Sequence, residues 1–267
     1  MQREEDDLRF SAIFGIILAL AGISLGLYFD GGKLAQMLQP TAALIVFGGT
    51  LGAVIVQFPF SVVLQAVGQL QPVFFGKEDP AVEILAQLVH FTQLARRSGI
   101  LALDSELEFV EDPFLRKALT LAVDGTPPTV LRAVMEIELD TMADQDELLP
   151  KVFEAAGGFA PTVGILGAVI GLVQVMQRLE NINAVGKGIA VAFVATLYGV
   201  GSANLFFLPC AGRIKILVHR RTLLREMMLE GVLAIQERAN PTALETRLSA
   251  YLSSPAPRRA VGKLVSM

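Results

Sequence analysis

The sequence contains no tryptophan, one cysteine and two histidines among 267 residues. A single cysteine, Cys210, excludes an intrachain disulfide and requires no oxidising compartment. His90 and His219 lie far apart, and no other spacing of His, Cys, Asp or Glu reads as a metal site. A lone histidine on a helical segment is ordinarily structural or solvated. A phosphate-binding Gly-Lys-Ser loop is also missing, so no metal, cofactor or enzymatic reaction is expected. The formal charge is -4 and no basic cluster is interleaved with aromatics, which argues against a nucleic-acid partner.

Charge itself is absent from four long blocks: Ser11–Phe29, Thr41–Phe58, Ala155–Gln177 and Gly188–Gly212 carry no Asp, Glu, Lys or Arg. About 20 residues cross a bilayer core as a helix, and each block is close to that length. With 53% hydrophobic residues and a mean hydropathy of +0.55, the composition fits an all-α membrane protein of four spans rather than a soluble domain. The first block is expected to be a retained span and not a cleaved signal: Glu4, Glu5, Asp6 and Asp7 outnumber Arg3 and Arg9 where a signal peptide is basic.

The spans pair into two hairpins. Asp30–Pro40 joins the first two through Asp30, Gly31 and Gly32, giving an N-terminal hairpin over 1–75. Arg178–Lys187 joins the last two with Asn181, Asn183 and Gly186 as turn formers, giving a second hairpin over 155–212. Between the hairpins, residues 76–154 form a helical domain broken at Gly99, Pro113 and Gly125–Pro128. Val82, Leu85, Leu88 and Val89 mark one apolar face there, and Val130, Val134 and Ile137, with Met142 in line, mark another. The last span is expected to continue without a breaker through Ile214 to Glu237 as one rod ended by Asn240 and Pro241, within a cytoplasmic helical segment over 213–252, followed by a flexible tail over 253–267. Arg213, Lys215, Arg220, Arg221 and Arg225 beyond span four outnumber Lys33, Arg178 and Lys187 in the short loops, so both termini and the central domain are expected to be cytoplasmic.

Inside the spans the informative residues are small or weakly polar. Gly164, Gly167 and Gly171 in span three and Gly199 in span four allow close helix approach, which predicts a tight bundle or oligomer. Pro161, Gly164, Ala168 and Gly171 share one side of their helix, as do Thr196, Gly199 and Ala203. Such faces can line a hydrated path, with Thr162 and Thr196 offering oxygens and Pro161 and Pro209 freeing carbonyls. Equally, the hydroxyls can bond back to their own helices. No span has an ionisable group, so if the protein conducts, another chain supplies the carboxylate.

The runs Ala155–Gly167 and Gly188–Gly199, then Asn204 and Leu208-Pro209, resemble the third- and fourth-span signatures of the MotA, PomA, TolQ and ExbB channel family. Ala95–Asp104, Asp112–Lys117 and Val232–Gln236 carry the resemblance into the polar regions. Four spans with a large loop after the second are similar to the MotA members; ExbB and TolQ have three. The resemblance implies an inner-membrane flagellar stator subunit, a pentamer around two copies of a single-span MotB-like protein that grips peptidoglycan. It also implies contact with a FliG-like rotor protein through Arg96 or Arg97 and Asp104, coupling prolines at Pro161 and Pro209, and a pore hydroxyl at Thr196. Such a charged set is otherwise an ordinary solvated face. The family commonly has Glu at the Asp104 position. Ala168 stands where sodium-driven members carry a threonine, which favours protons over sodium. An ExbB-like energiser of outer-membrane processes and a non-conducting membrane scaffold remain alternatives on the residues alone.

Overall fold

The computed structural model describes residues 2–32, 37–76, 80–177, 179–180 and 182–252. Among them every regular element is helical and there is no strand. The tail expected to be flexible, 253–267, lies outside the described residues, as do the loop residues Lys33, Arg178 and Asn181. The described residues form two compact units, one within 2–76 and 147–217 and the other within 80–146 and 218–252.

The first unit holds α1 (Gln2–Phe29), α2 (Pro40–Gln57), α3 (Phe60–Gly68) and α4 (Leu70–Phe75). To these it adds residues 147–176 of α7 (Pro128–Met176), α8 (Ile182–Ser202), and the start of α9 (Leu208–Gln236). α2, a stretch of α7 and the run from α8 into α9 are long and apolar enough to cross a membrane, while Phe14–Phe29 and Phe60–Phe75 are shorter apolar stretches. Only 22–28% of the residues in the three longer windows are buried inside the chain. A helix apolar on faces that its own fold leaves uncovered requires a non-aqueous surrounding. Ala42 and Val46 of α2 pack on Val194 and Ala195 of α8 to form a small core.

Two local expectations change in this unit. α8 begins at Ile182, so Asn183 and Gly186 are helical and the turn before it is shorter than Arg178–Lys187. Residues 59–75, for which the sequence reading gave no element, fold as α3 and α4: Phe58 and Pro59 are extended, and Pro59 lacks the N–H needed to continue α2.

The second unit contains α5 (Ala81–Ser98), a 3-10 segment (Ile100–Phe109), α6 (Pro113–Val123), residues 128–146 of α7, the later part of α9, and α10 (Pro241–Leu248). Its core joins Leu85 and Leu88 of α5, Phe114, Leu115 and Leu119 of α6, and Leu131 and Met135 of α7. α9 contributes Met227, Met228 and Ile235, and α10 contributes Leu244 and Leu248. The breaks fall where the sequence placed them. Gly99 at φ +86 and Gly125 at φ +78 follow α5 and α6 in the left-handed region, where a side chain is disfavoured.

α6 shows how its motif works. The Asp112 carboxylate accepts from the Phe114 and Leu115 N–H groups at 2.9 and 3.0 Å, and Pro113 occupies the first turn, where no donor is missed. Arg116 Nε donates to the Val110 carbonyl at 2.9 Å, and Lys117 pairs with Glu138 of α7.

The apolar face of α7 is not the expected one. Val130, Val134 and Ile137 are exposed, Ile137 to 68%, whereas Leu131, Met135 and Leu139 are buried and Met142 is only partly so. Both series step at helical spacing, one or two residues apart, and the buried one is set by α6 and α9 packing against it. α9 ends at Gln236, within one residue of the expected rod, with Arg238 at φ 54 accommodating the reversal, so 213–252 is not one helix. Asn240 and Pro241 then open α10: the Asn240 side chain accepts from the Thr242 N–H at 3.0 Å.

Candidate ion path and charged surface

The glycines of the last hairpin sit at a helix crossing. A Cβ built on Gly164 of α7 would lie 2.8 Å from the Ala195 carbonyl oxygen of α8 and 3.2 Å from Gly199 Cα. One on Gly171 would lie 2.9 Å from the Gly188 carbonyl oxygen, and one on Gly167 would lie 2.8 Å from Ala195 Cβ and 3.3 Å from Ile45 of α2. Gly199 in turn meets the Ala160 carbonyl. α7 and α8 therefore approach backbone to backbone, with α2 laid against both, and any side chain at these positions would force them apart. This accounts for the glycines as contact residues; on their shared side of α7, Pro161 and Ala168 remain half-buried in the single chain.

Three polar side chains of this hairpin donate to their own helices. Thr162 Oγ1 donates to the Phe159 carbonyl at 2.8 Å, Thr196 Oγ1 to Ala192 at 3.3 Å and Asn204 Nδ2 to Val200 at 2.9 Å. The hydroxyl proton of Thr196 is thereby occupied, but its oxygen keeps lone-pair capacity for water or an ion. Thr162 is exposed and Thr196 half-buried.

Prolines loosen the backbone nearby. Pro150 and Pro161 both lie inside α7, so the carbonyls four residues earlier lose their helical donors. Pro209 is exposed and follows a π-helical turn over Ala203–Phe207, in which the Leu208 N–H bonds to the Ala203 carbonyl. The sequence reading identified Pro209 but not this turn. A proline within a continuous apolar helix was the available signal, since it deprives the Leu205 carbonyl of its usual donor.

Tyr198 of α8 is a further polar residue of this apolar stretch. Its hydroxyl donates to the Met37 carbonyl and accepts from the Gln39 N–H at 3.2 Å, while its ring stacks on Phe47 with centroids 6.0 Å apart. It fastens the chain entering α2 to α8. A tyrosine in an apolar span needs a partner for its hydroxyl, and that requirement was legible.

In the other unit, Arg96 and Arg97 occupy the last turn of α5 and Asp104 the 3-10 segment that follows; all three are exposed. None forms an ion pair among the described residues, and the chain reverses at Gly99 between them. By contrast Arg225, which entered the topology count, is mostly buried in an ion pair with Asp146 at 2.8 Å. Among the described residues no group of His, Cys, Asp or Glu is arranged to hold a metal ion.

The chain matches the MotA/TolQ/ExbB proton channel family over residues 106–227 and the N-terminal region of motility protein A over residues 13–99. It is 36% identical to motility protein A of Bacillus subtilis across 91% of this chain and 90% of that protein. A solved structure of C. jejuni MotAB superimposes with a TM-score of 0.86 at 31% identity, covering 94% of this chain and 98% of the matched one. The flagellar MotAB stator complex of Bacillus subtilis gives a TM-score of 0.78 at 34% identity, covering 95% and 98%. With these matches spanning most of its length, the chain belongs to the MotA/TolQ/ExbB proton channel family, on its motility protein A side.

Proposed function

We propose that this chain is the MotA-like subunit of a flagellar stator, which passes ions beside a MotB-like partner and turns their flow into rotation. It crosses the inner membrane four times, near 11–29, 41–58, 155–177 and 188–212, with both termini and the central helical domain in the cytoplasm. Several copies, five by family resemblance, surround the partner's single helices, and Arg96, Arg97 and Asp104 face a FliG-like rotor protein. Protons are the transported ion, on the strength of alanine at position 168. The match to the N-terminal region of motility protein A supports this reading over a TolQ- or ExbB-like energiser.

One observation carries the proposal. The glycine-crossed hairpin of α7 and α8 presents small side chains and hydroxyl oxygens, yet the four apolar blocks hold no residue able to load and release a proton. A hydroxyl does not titrate near neutral pH, so Thr196 can order water or offer an oxygen but cannot relay charge alone. The partner's membrane carboxylate completes the path. The test is proton flux into vesicles holding this chain with or without the partner. Flux is expected only with both, stops when the partner's membrane aspartate becomes Asn, and weakens with Thr196→Val. Saturable flux through this chain alone would overturn the shared path.

A further inference from the structure

We propose that α3 and α4 form a lipid-binding platform, seated at the headgroup boundary of the leaflet where the chain leaves α2 and gripping it through apolar contact alone. The inference rests on the membrane-spanning reading above and goes beyond it, because these helices are not spans.

Three sectors run along α3. Val63 and Ala66 are buried against the rest of the unit. Ser61, Gln65 and Gly68 are exposed and form the polar sector. Between them, Phe60, Leu64 and Val67 are 61%, 56% and 51% exposed, on one side of the helix by their four- and three-residue steps. Phe75 at the end of α4 is also exposed. A helix facing only protein and water has two sectors; the third, exposed and purely apolar on α3, requires another solvent.

Its occupant follows from continuity and charge. α3 starts just after α2, whose exposed residues Leu51, Ile55 and Val56 already require lipid, and only Phe58 and Pro59 intervene. From Leu34 to Gly76 there is no Asp, Glu, Lys or Arg. A docking face for another protein is ordinarily bordered by a polar, charged rim, whereas the polar sector here is only Ser, Gln and Gly. Interfacial helices commonly add lysines and arginines that attract anionic lipid. This one has none, so its hold should depend on buried apolar area and be indifferent to lipid charge.

The absence of tryptophan makes a direct test available, since a single introduced tryptophan reports without background. Phe60→Trp, Leu64→Trp and Gln65→Trp variants of the full chain are reconstituted in vesicles of phosphatidylethanolamine and phosphatidylglycerol, with Val56→Trp on α2 as reference. Residues 60 and 64 should emit to the blue and lose intensity when acyl chains brominated near the headgroup replace ordinary ones. Residue 65 should instead be quenched by aqueous acrylamide. The pattern should persist in phosphatidylcholine alone and in high salt. Acrylamide quenching at 60 and 64 would overturn the platform, and protection there from both quenchers would overturn it in favour of a protein contact. If Val56→Trp also escaped the brominated lipid, the spanning reading would fail with it; a quenched Val56→Trp beside unquenched 60 and 64 would sink the platform alone.

Discussion

Gly164→Ala isolates the contribution of the helix crossing. The new methyl would stand 2.8 Å from the Ala195 carbonyl oxygen, 3.2 Å from Gly199 Cα and 3.4 Å from Thr196 Cα. Carbon atoms prefer about 3.5–4.0 Å, so α7 and α8 must separate by several tenths of an ångström, and all three neighbours are backbone atoms with no rotamer to change. Overpacking of this kind costs about 1–3 kcal/mol. Against it stands the helix preference for alanine over glycine, about 1 kcal/mol. Packing wins, but narrowly if measured against the parent protein. Gly22→Ala on α1 supplies the better reference, because no atom lies within 4 Å of its Cβ position and the propensity gain appears there unopposed. The difference between the two variants then reports the crossing itself, at about 1–3 kcal/mol. Thermal unfolding in detergent should show Gly164→Ala melting below Gly22→Ala, by roughly 2–4 °C per kcal/mol for a chain of this size. Equal midpoints, or a higher one for Gly164→Ala, would refute a crossing set by backbone contact.

Arg96→Glu with Arg97→Glu should abolish swimming while membrane abundance and melting stay near the parent values, since both side chains are exposed and form no ion pair among the described residues; motility plates with immunoblots check this. Met135→Ala should destabilise by about 2–5 kcal/mol, and Ile137→Ala by less than about 0.5 kcal/mol, because only Met135 lies in the core. Exchange of the two outcomes in thermal unfolding would restore the other face of α7. Thr50 is 2% exposed on α2 and its hydroxyl has no partner among the described residues, so Thr50→Val should leave the midpoint unchanged or raise it; a clear fall would reveal a bond from outside them. Tyr198→Phe keeps the stacking on Phe47 but leaves the Gln39 N–H without its acceptor, and should lower stability by about 1 kcal/mol in the same measurement.

Glu230 illustrates why charged groups gave the sequence reading so little. It accepts from Arg132 at 3.0 Å and from Arg247, tying α9 to α7 and α10 across long separations in the chain. No spacing rule connects residues 132, 230 and 247, and each exposed partner contributes only about 0.2–1 kcal/mol. Segment boundaries were different. Gly99, Asp112-Pro113 and Gly125 act through their own backbone, so the residue type reveals the break before any tertiary contact exists.

The residues proposed for an ion path lie between these cases. Spacing placed Gly164 and Gly171 on one side of a helix, but spacing cannot say whether a side faces a neighbouring helix or water. The crossing resolves that for the glycines, because Gly188 and Gly199 of α8 stand against them with no room for a side chain. For Thr196 the same geometry leaves half an answer. Its proton is used within α8 while its lone pairs stay available, so the hydroxyl is both a satisfied helical residue and an oxygen that an ion can use. What the sequence did disclose was an absence: with Asp, Glu, Lys, Arg and His all kept out of the apolar blocks, a proton carried along them would need a carboxylate from another chain.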